Sequence, residues 1–285
     1  MRIRTLNLKV LFFVSAIGLF SAAQISAQDL RVEDIISRHL NSIGPPEKLA
    51  EIKTRLVLGT SQFESKLPSK ETTGKALIAS ENNNLMFITS FNSKEYPFEK
   101  IGYFDGKTEL PWVTSGTRSP LGTFIADHER MLSEGLFTGS ISCTWPLLNL
   151  EKQKAKITAN GTQKVNGKKA YVLGYFPKGG GSEFSIQLFF DSETFRHIRT
   201  EYRHVIAPQQ DSFGTLGRQT GVKITLIESF GDFKTVDGIT LPYSYKADYE
   251  TNSNSGVYQY IWNIAVQQYN INQKLAPGFF SFEAK

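Results

Sequence analysis

Apolar positions in this chain first recur every three to four residues and then every second one. Val32, Ile36, Leu40 and Ile43, with Ile35 beside them, make one apolar helical face. Asp29 is a candidate N-cap and Gly44-Pro45-Pro46 a stop signal. A short second helix is expected from Pro46, turning Leu49 and Ile52 inward. The period then falls to two. Strands are expected at 55–64, 74–80, 85–91, 100–104, 108–114, 157–165, 169–176, 184–191, 195–206, 222–229, 239–249 and 257–268. Asp105-Gly106, Asn166-Gly167 and Asp237-Gly238 sit between such runs, where a tight hairpin needs two residues at positive φ.

One helical stretch interrupts the strands. Ser119-Pro120 reads as an N-cap followed by proline in the first turn. Leu121, Phe124, Ile125, His128 and Leu132 share a face, and Gly135 ends the element. Residues 207–221 are polar, glycine-rich and without period, so they are expected to form a long loop. Strand faces follow from the alternation. Phe184, Ile186, Leu188 and Phe190 alternate with Ser185 and Gln187, and Tyr258, Tyr260, Trp262, Ile264 and Val266 form a second apolar set. In 85–91 both faces are apolar, so that strand is either covered on both sides or lines a cavity. Consecutive hairpins imply an antiparallel sheet, a sheet of about ten strands tends to curl, and apolar helices need a face to cover. The expected fold class is mainly β (α+β), a single curved antiparallel sheet with helices covering its concave face.

The first residues read as an address. Arg2, Arg4 and Lys9 precede an apolar run from Val10 to Phe20, and small residues follow. That order is a secretory signal peptide, and the run is shorter than the roughly 20 residues of a spanning helix. Cleavage is expected after Ala27, with Ala23 the second choice and an uncleaved anchor the alternative, leaving residues 28–285 as one domain. The only cysteine, Cys143, stands far from the expected cleavage site, so neither a lipid-modified N-terminus nor an internal disulfide is expected. Without Arg2, Arg4 and Lys9 the balance is 29 basic to 27 acidic residues, which gives no reason to invoke nucleic acid.

Motifs that carry chemistry are missing. The sequence has no His-x-x-x-His, no Cys-x-x-Cys and no Gly-x-Ser-x-Gly, and no Gly-Lys-Ser/Thr follows the glycines at 214, 217 and 221. His197 and His204 differ by an odd number, so an unbroken strand would turn them to opposite faces. His128, on an apolar face, reads as a packing residue and Cys143 as a buried thiol. Asp191 and Glu193 read as turn residues, and the basic runs 152–156 and 164–169 as solvated faces. No metal or cofactor is expected.

Several stretches together resemble a known group. The helix Val32-Glu33-Asp34-Ile35-Ile36-Ser37-Arg38-His39-Leu40 follows the signal segment, then a Gly-Pro break. Tyr103-Phe104-Asp105-Gly106-Lys107-Thr108 comes next, with Trp112 after it. Leu188-Phe189-Phe190-Asp191 with Ile198-Arg199 follows, and last Phe233-Lys234-Thr235-Val236-Asp237-Gly238-Ile239-Thr240-Leu241-Pro242-Tyr243. In order and texture, over most of the chain beyond the signal segment, this resembles the LolA/LolB-type superfamily of outer-membrane lipoprotein-sorting proteins. The resemblance implies an unclosed β-barrel whose apolar concave face accepts lipoprotein acyl chains or similar lipids, without catalysis. No site residue is carried over from it.

The function expected is therefore a periplasmic carrier or binding protein for a lipid or lipoprotein acyl group, its partner a lipid or acylated protein, with membrane-associated envelope proteins as further candidate partners. The cavity-lining candidates are Phe63, Met86, Phe87, Phe91, Trp112, Phe124, Tyr245 and Trp262. The alternatives are an envelope protein-interaction module with a filled core and, behind it, a carboxylate-based hydrolase.

Overall fold

The computed structural model describes residues 30–179, 181, 183–207 and 221–282. The expected signal segment, Asp29 and positions 208–220 of the expected loop lie outside the described residues.

The amphipathic start folds as its period requires. Helix α1, Val32–Ile43, buries Ile35, Ile36, His39 and Ile43. Its N-cap position is held by Arg31, whose guanidinium pairs with Asp34 at 3.1 Å. Gly44 ends it, its N–H bonding to the Leu40 carbonyl, and a Cβ there would stand 2.9 Å from Ile239 Cγ2. Helix α2 follows at Pro46–Glu51.

Twelve strands come next: β1 Thr54–Lys66, β2 Ser69–Glu81, β3 Asn84–Phe91, β4 Phe98–Phe104, β5 Lys107–Glu109, β6 Lys156–Val165, β7 Lys168–Phe176, β8 Phe184–Asp191, β9 His197–Ile206, β10 Val222–Val236, β11 Ile239–Ser253 and β12 Gly256–Ile271. They form one antiparallel sheet in the order β5-β4-β3-β2-β1-β12-β11-β10-β9-β8-β7-β6. The three expected hairpins are present, with φ of 49° and 78° at Asp105-Gly106, 51° and 82° at Asn166-Gly167, and 50° and 82° at Asp237-Gly238. The edge strands β5 and β6 do not pair, so the sheet is not closed into a barrel.

This topology dictates where the helices go. The chain leaves β5 at one edge and must reach β6 at the other, and it does so across the concave face. That crossover holds helix α3, Pro120–Asp127, helix α4, Arg130–Ser133, a 3-10 turn at Gly139–Ile141, a second at Pro146–Asn149 and helix α5, Leu150–Gln153. Its buried side chains, among them Leu121, Phe124, Phe137 and Trp145, merge with Val57, Phe87, Leu188, Leu226, Tyr245 and Trp262 of the sheet into one core. Burial of this kind, at roughly 25 cal/mol per Å² of apolar surface, dominates the stability of a chain with no disulfide.

Two expectations need correction. The strand expected at 108–114 stops at Glu109, because Pro111 has no N–H to continue a ladder and the chain turns toward the crossover. The single helix expected from Pro120 to Gly135 breaks at His128, whose φ of −133° leaves the helical region. The expected face survives the break: Leu121, Phe124, Ile125 and Leu132 are buried and His128 is half-buried. Gly135 does end the element, at φ 71°, with Thr144 O so close that a Cβ would lie 1.9 Å from it.

The doubly apolar strand is covered on both sides. Leu85, Phe87 and Phe91 enter the concave core, while Met86 and Ile88 lie on the convex face beneath Leu275, Phe279, Phe280 and Phe282 of the C-terminal segment. A third small cluster, Val165, Ala170, Val172 and Phe189, occupies the convex face beyond β9.

Candidate functional site

The concave face is lined by apolar side chains with a few charged ones among them. On β1, Arg55 is in phase with Val57 and Phe63; on β4, Glu99 with Ile101; on β10, Glu228 with Leu226 and Phe230. A strand period of two therefore carries three charged groups beneath the crossover. All are buried, at 1 %, 2 % and 0 % exposure. Each fastens the crossover to the sheet.

Arg55 Nη1 donates to the carbonyls of Ser140 at 2.8 Å and Ser142 at 3.1 Å. Burial pulls its pKa below the ordinary guanidinium value. From the other side Glu228 takes three hydrogen bonds: the Thr138 N–H at 2.7 Å and the hydroxyls of Tyr202 and Tyr245, each at 2.8 Å. Thr138 sits at φ 68°, a costly conformation for a β-branched residue, and its bond to Glu228 helps hold it there. Segment 138–142 is thus gripped between a buried cation on β1 and a buried carboxyl on β10. Burial pushes the Glu228 pKa up to about 7, against the pull of its hydrogen bonds.

Glu99 performs the third attachment. It accepts from the Tyr96 hydroxyl, which itself accepts from Trp262 Nε1 at 2.7 Å. The Ser119 hydroxyl also bonds to Glu99, while Ser119 Oγ accepts the Gly122 N–H at 2.8 Å and caps α3. Burial raises the Glu99 pKa to about 7.

At the far end of α3 the interior approaches solvent. His128 stacks on Phe184 at 3.9 Å between ring centroids, and its Nε2 lies 3.1 Å from His204 Nδ1. Burial, then the neighbouring His204, lowers the His128 pKa to about 4. A surface cleft of about 460 Å³ opens here, lined by His128, Arg130, Phe176, Pro177, Gly179 and Phe184 among others. A second histidine cluster is wholly internal. Trp145 Nε1 donates to His39 Nε2 at 3.0 Å, so the proton of neutral His39 is on Nδ1, which donates to Phe195 O at 3.1 Å. His197 stacks on Trp145.

Of the cavity-lining candidates, Phe63, Phe87, Phe91, Phe124, Tyr245 and Trp262 share the concave core. Met86 stands on the opposite face of the sheet, and Trp112 is 52 % exposed with the Arg118 guanidinium 4.5 Å over its ring. Their own neighbours fill the space around the six: Trp145, Tyr175, Tyr202 and Phe137 are fully buried against them. The three charged anchors were not among the candidates. Their signal was nonetheless present, as a charged residue falling in step with the apolar positions of a strand.

No family model matches the chain, and no curated protein matches it either. Solved structures do. A DUF1329 family protein from Desulfovibrio piger is 12 % identical with a TM-score of 0.47, over 88 % of this chain and 98 % of that one. A domain described as an outer membrane lipoprotein-sorting protein, from Vibrio parahaemolyticus, is 10 % identical with a TM-score of 0.44, over 86 % and 94 %. The Mycobacterium tuberculosis lipoprotein LppX is 10 % identical with a TM-score of 0.24, over 85 % and 95 %. These likenesses are remote, and the chemistry of the site has to be read from this chain's own residues.

Proposed function

We propose that this chain is an exported, periplasmic, non-catalytic protein that carries a lipid or the acyl group of a lipoprotein on the concave face of its sheet. The observation behind this is the contrast between that face and its cover. The face is apolar along most strands, whereas the crossover is tied to it by three discrete polar anchors, Arg55, Glu99 and Glu228. The cover also packs on that floor through Leu121, Phe124, Phe137 and Trp145, and an apolar chain can displace it by replacing these contacts with its own. Each buried methylene contributes about 0.8 kcal/mol, so a long acyl chain offsets the loss of several hydrogen bonds. The cleft beside His128 and Phe184 is the proposed entry, because Phe184, which lines it, packs against Phe124 of the core. Phe63, Phe87, Phe91, Phe124, Tyr245 and Trp262 are the proposed contacts. Exported by its signal segment, the protein would meet acylated partners in the envelope.

Native mass spectrometry of the mature protein, purified from the periplasm without detergent, tests this. The expected result is a bound mass matching a lipid or acylated peptide, recovered by solvent extraction. An empty protein that also fails to take up a fluorescent fatty acid would sink the carrier reading. The filled interior favours one second reading, a protein-interaction module. In that case crosslinking in cells would trap a single dominant envelope protein while extraction yields no lipid.

A further inference from the structure

The two rims of the sheet differ in kind. Strands β2, β4, β6, β8, β10 and β12 begin on one rim, where β1, β3, β7, β9 and β11 end. On the opposite rim four hairpins turn through Asn82-Asn83, Asp105-Gly106, Asn166-Gly167 and Asp237-Gly238, all polar or glycine, and the fifth, between β8 and β9, carries Phe195 half-buried beneath the Arg38 guanidinium. On the first rim the connections expose large apolar side chains. Among the described residues, Leu67, Trp112, Phe176, Val205, Ile206 and Val257 are the large hydrophobics between 42 % and 55 % exposed. Leu67 lies in the β1–β2 turn, Phe176 ends β7, Val205 and Ile206 end β9, Val257 opens β12, and Trp112 follows β5 toward the same side. Scattered single apolar residues on a surface need no explanation, but confinement of all of these to one rim does.

We infer that this rim docks on the surface of a lipid bilayer containing anionic headgroups. The neighbours of the apolar residues point to a membrane. Lys66 precedes Leu67, Lys178 follows Phe176 by two residues, Lys223 is paired across the ladder with Val205, and Arg118 covers Trp112. Apolar side chains ringed by lysine and arginine suit the boundary between acyl chains and anionic headgroups, where long basic side chains reach the phosphates while the apolar tips enter. Acidic side chains share this rim, and Glu64, Glu95 and Glu201 are engaged there by Lys66, Lys70 and Arg203. Apolar insertion therefore carries the binding, with anionic lipid adding to it. The cleft lined by Phe176 and Phe184 opens on the same rim, so docking would bring it against the lipid. The inference stands on the exposure pattern and not on the carrier reading: an empty protein that binds vesicles would support the one while the other fails.

Trp112 supplies the probe. The chain has three tryptophans, and Trp145 and Trp262 are buried, at 1 % and 0 %. The full mature chain should sediment with vesicles of phosphatidylcholine containing phosphatidylglycerol, with a blue shift of tryptophan emission and quenching by brominated acyl chains. The shift and quenching should vanish in Trp112→Phe. The triple variant Leu67→Ser, Phe176→Ser, Ile206→Ser should bind roughly tenfold or more weakly. A triple variant on the opposite rim, Asn83→Ser, Lys107→Ser, Lys168→Ser, should bind as the parent does. Failure to sediment with these vesicles, or unchanged binding by the first variant, overturns the inference. So would a dimer in sedimentation equilibrium that this variant dissolves, which would assign the rim to a second copy of the chain.

Discussion

Glu228 shows what a single carboxyl can do in an interior built from strands. It joins Tyr202 on β9, Tyr245 on β11 and the Thr138 backbone through three hydrogen bonds, yet the burial that makes those bonds useful also opposes its ionisation. With its folded pKa raised to about 7 from an ordinary 4.5, it is neutral in both folded and unfolded states below pH 4.5. Its contribution to stability is therefore fully present below pH 4.5 and is lost as pH rises through 7. Glu99 acts in the same direction in the same window. His39 acts oppositely: burial lowers it from 6.5 to about 4, so its contribution is present above pH 6.5 and lost as pH falls toward 4. Glu228→Gln keeps an acceptor and removes the titration. Its melting temperature relative to the parent should rise between pH 5 and pH 8, by an amount equivalent to a few kcal/mol for a group this buried. Thermal melts at both values check this, and parallel pH curves for the two proteins would refute it.

At the scale of elements, α3 and segment 138–142 are the parts whose attachment is most polar. Ser119 serves two ends at once, capping the helix through the Gly122 N–H and bonding to Glu99 on β4. Ser119→Ala should lower stability by about 1 kcal/mol from the lost cap, with a further loss from Glu99 left short of a donor. Denaturant unfolding measures the sum. Hydrogen exchange should show where it is felt, as faster exchange in 120–127 with β1 and β12 unchanged. Uniform acceleration across the sheet would mean that α3 unfolds only with the whole molecule. The convex side is held differently. Phe280, 3 % exposed, closes the cluster of Ala79 and Met86. Phe280→Ala should cost about 3 kcal/mol, at the low end of buried phenylalanine truncations, read from the urea midpoint at constant slope.

At the scale of the molecule, the path of the chain explains its interior. Two antiparallel runs of strands meet where β1 pairs with β12, which leaves β5 and β6 as far-apart edges. The connection between those edges has to cross the sheet, and crossing on the concave side buries apolar surface on both. A chain threaded this way keeps its cover and its floor in one continuous polypeptide.

How much of this was legible in the sequence depends on the range of the interaction involved. Period two along each strand, the Asp-Gly and Asn-Gly turns, the amphipathic α1 and the Ser119-Pro120 start of α3 are properties of neighbouring residues, and the sequence determined them. The alternation also determined which side chains share a face of a strand, and six of the eight cavity-lining candidates, Phe63, Phe87, Phe91, Phe124, Tyr245 and Trp262, lie in the concave core. Only the tertiary structure decided what meets those faces. Met86 looked equivalent to Phe87 until the C-terminal segment, nearly two hundred residues away, proved to cover its side of the sheet. Arg55, Glu99 and Glu228 fall in step with apolar positions of their strands, and only the crossover supplies their partners. The rim of exposed apolar residues emerged only when strand direction placed Leu67, Phe176, Val205, Ile206 and Val257 on one side. The physical reason is the same throughout. Local sequence sets backbone conformation and the direction of each side chain, whereas burial and hydrogen-bond partners come from contacts between distant segments, which are set when the sheet curves and the chain crosses it.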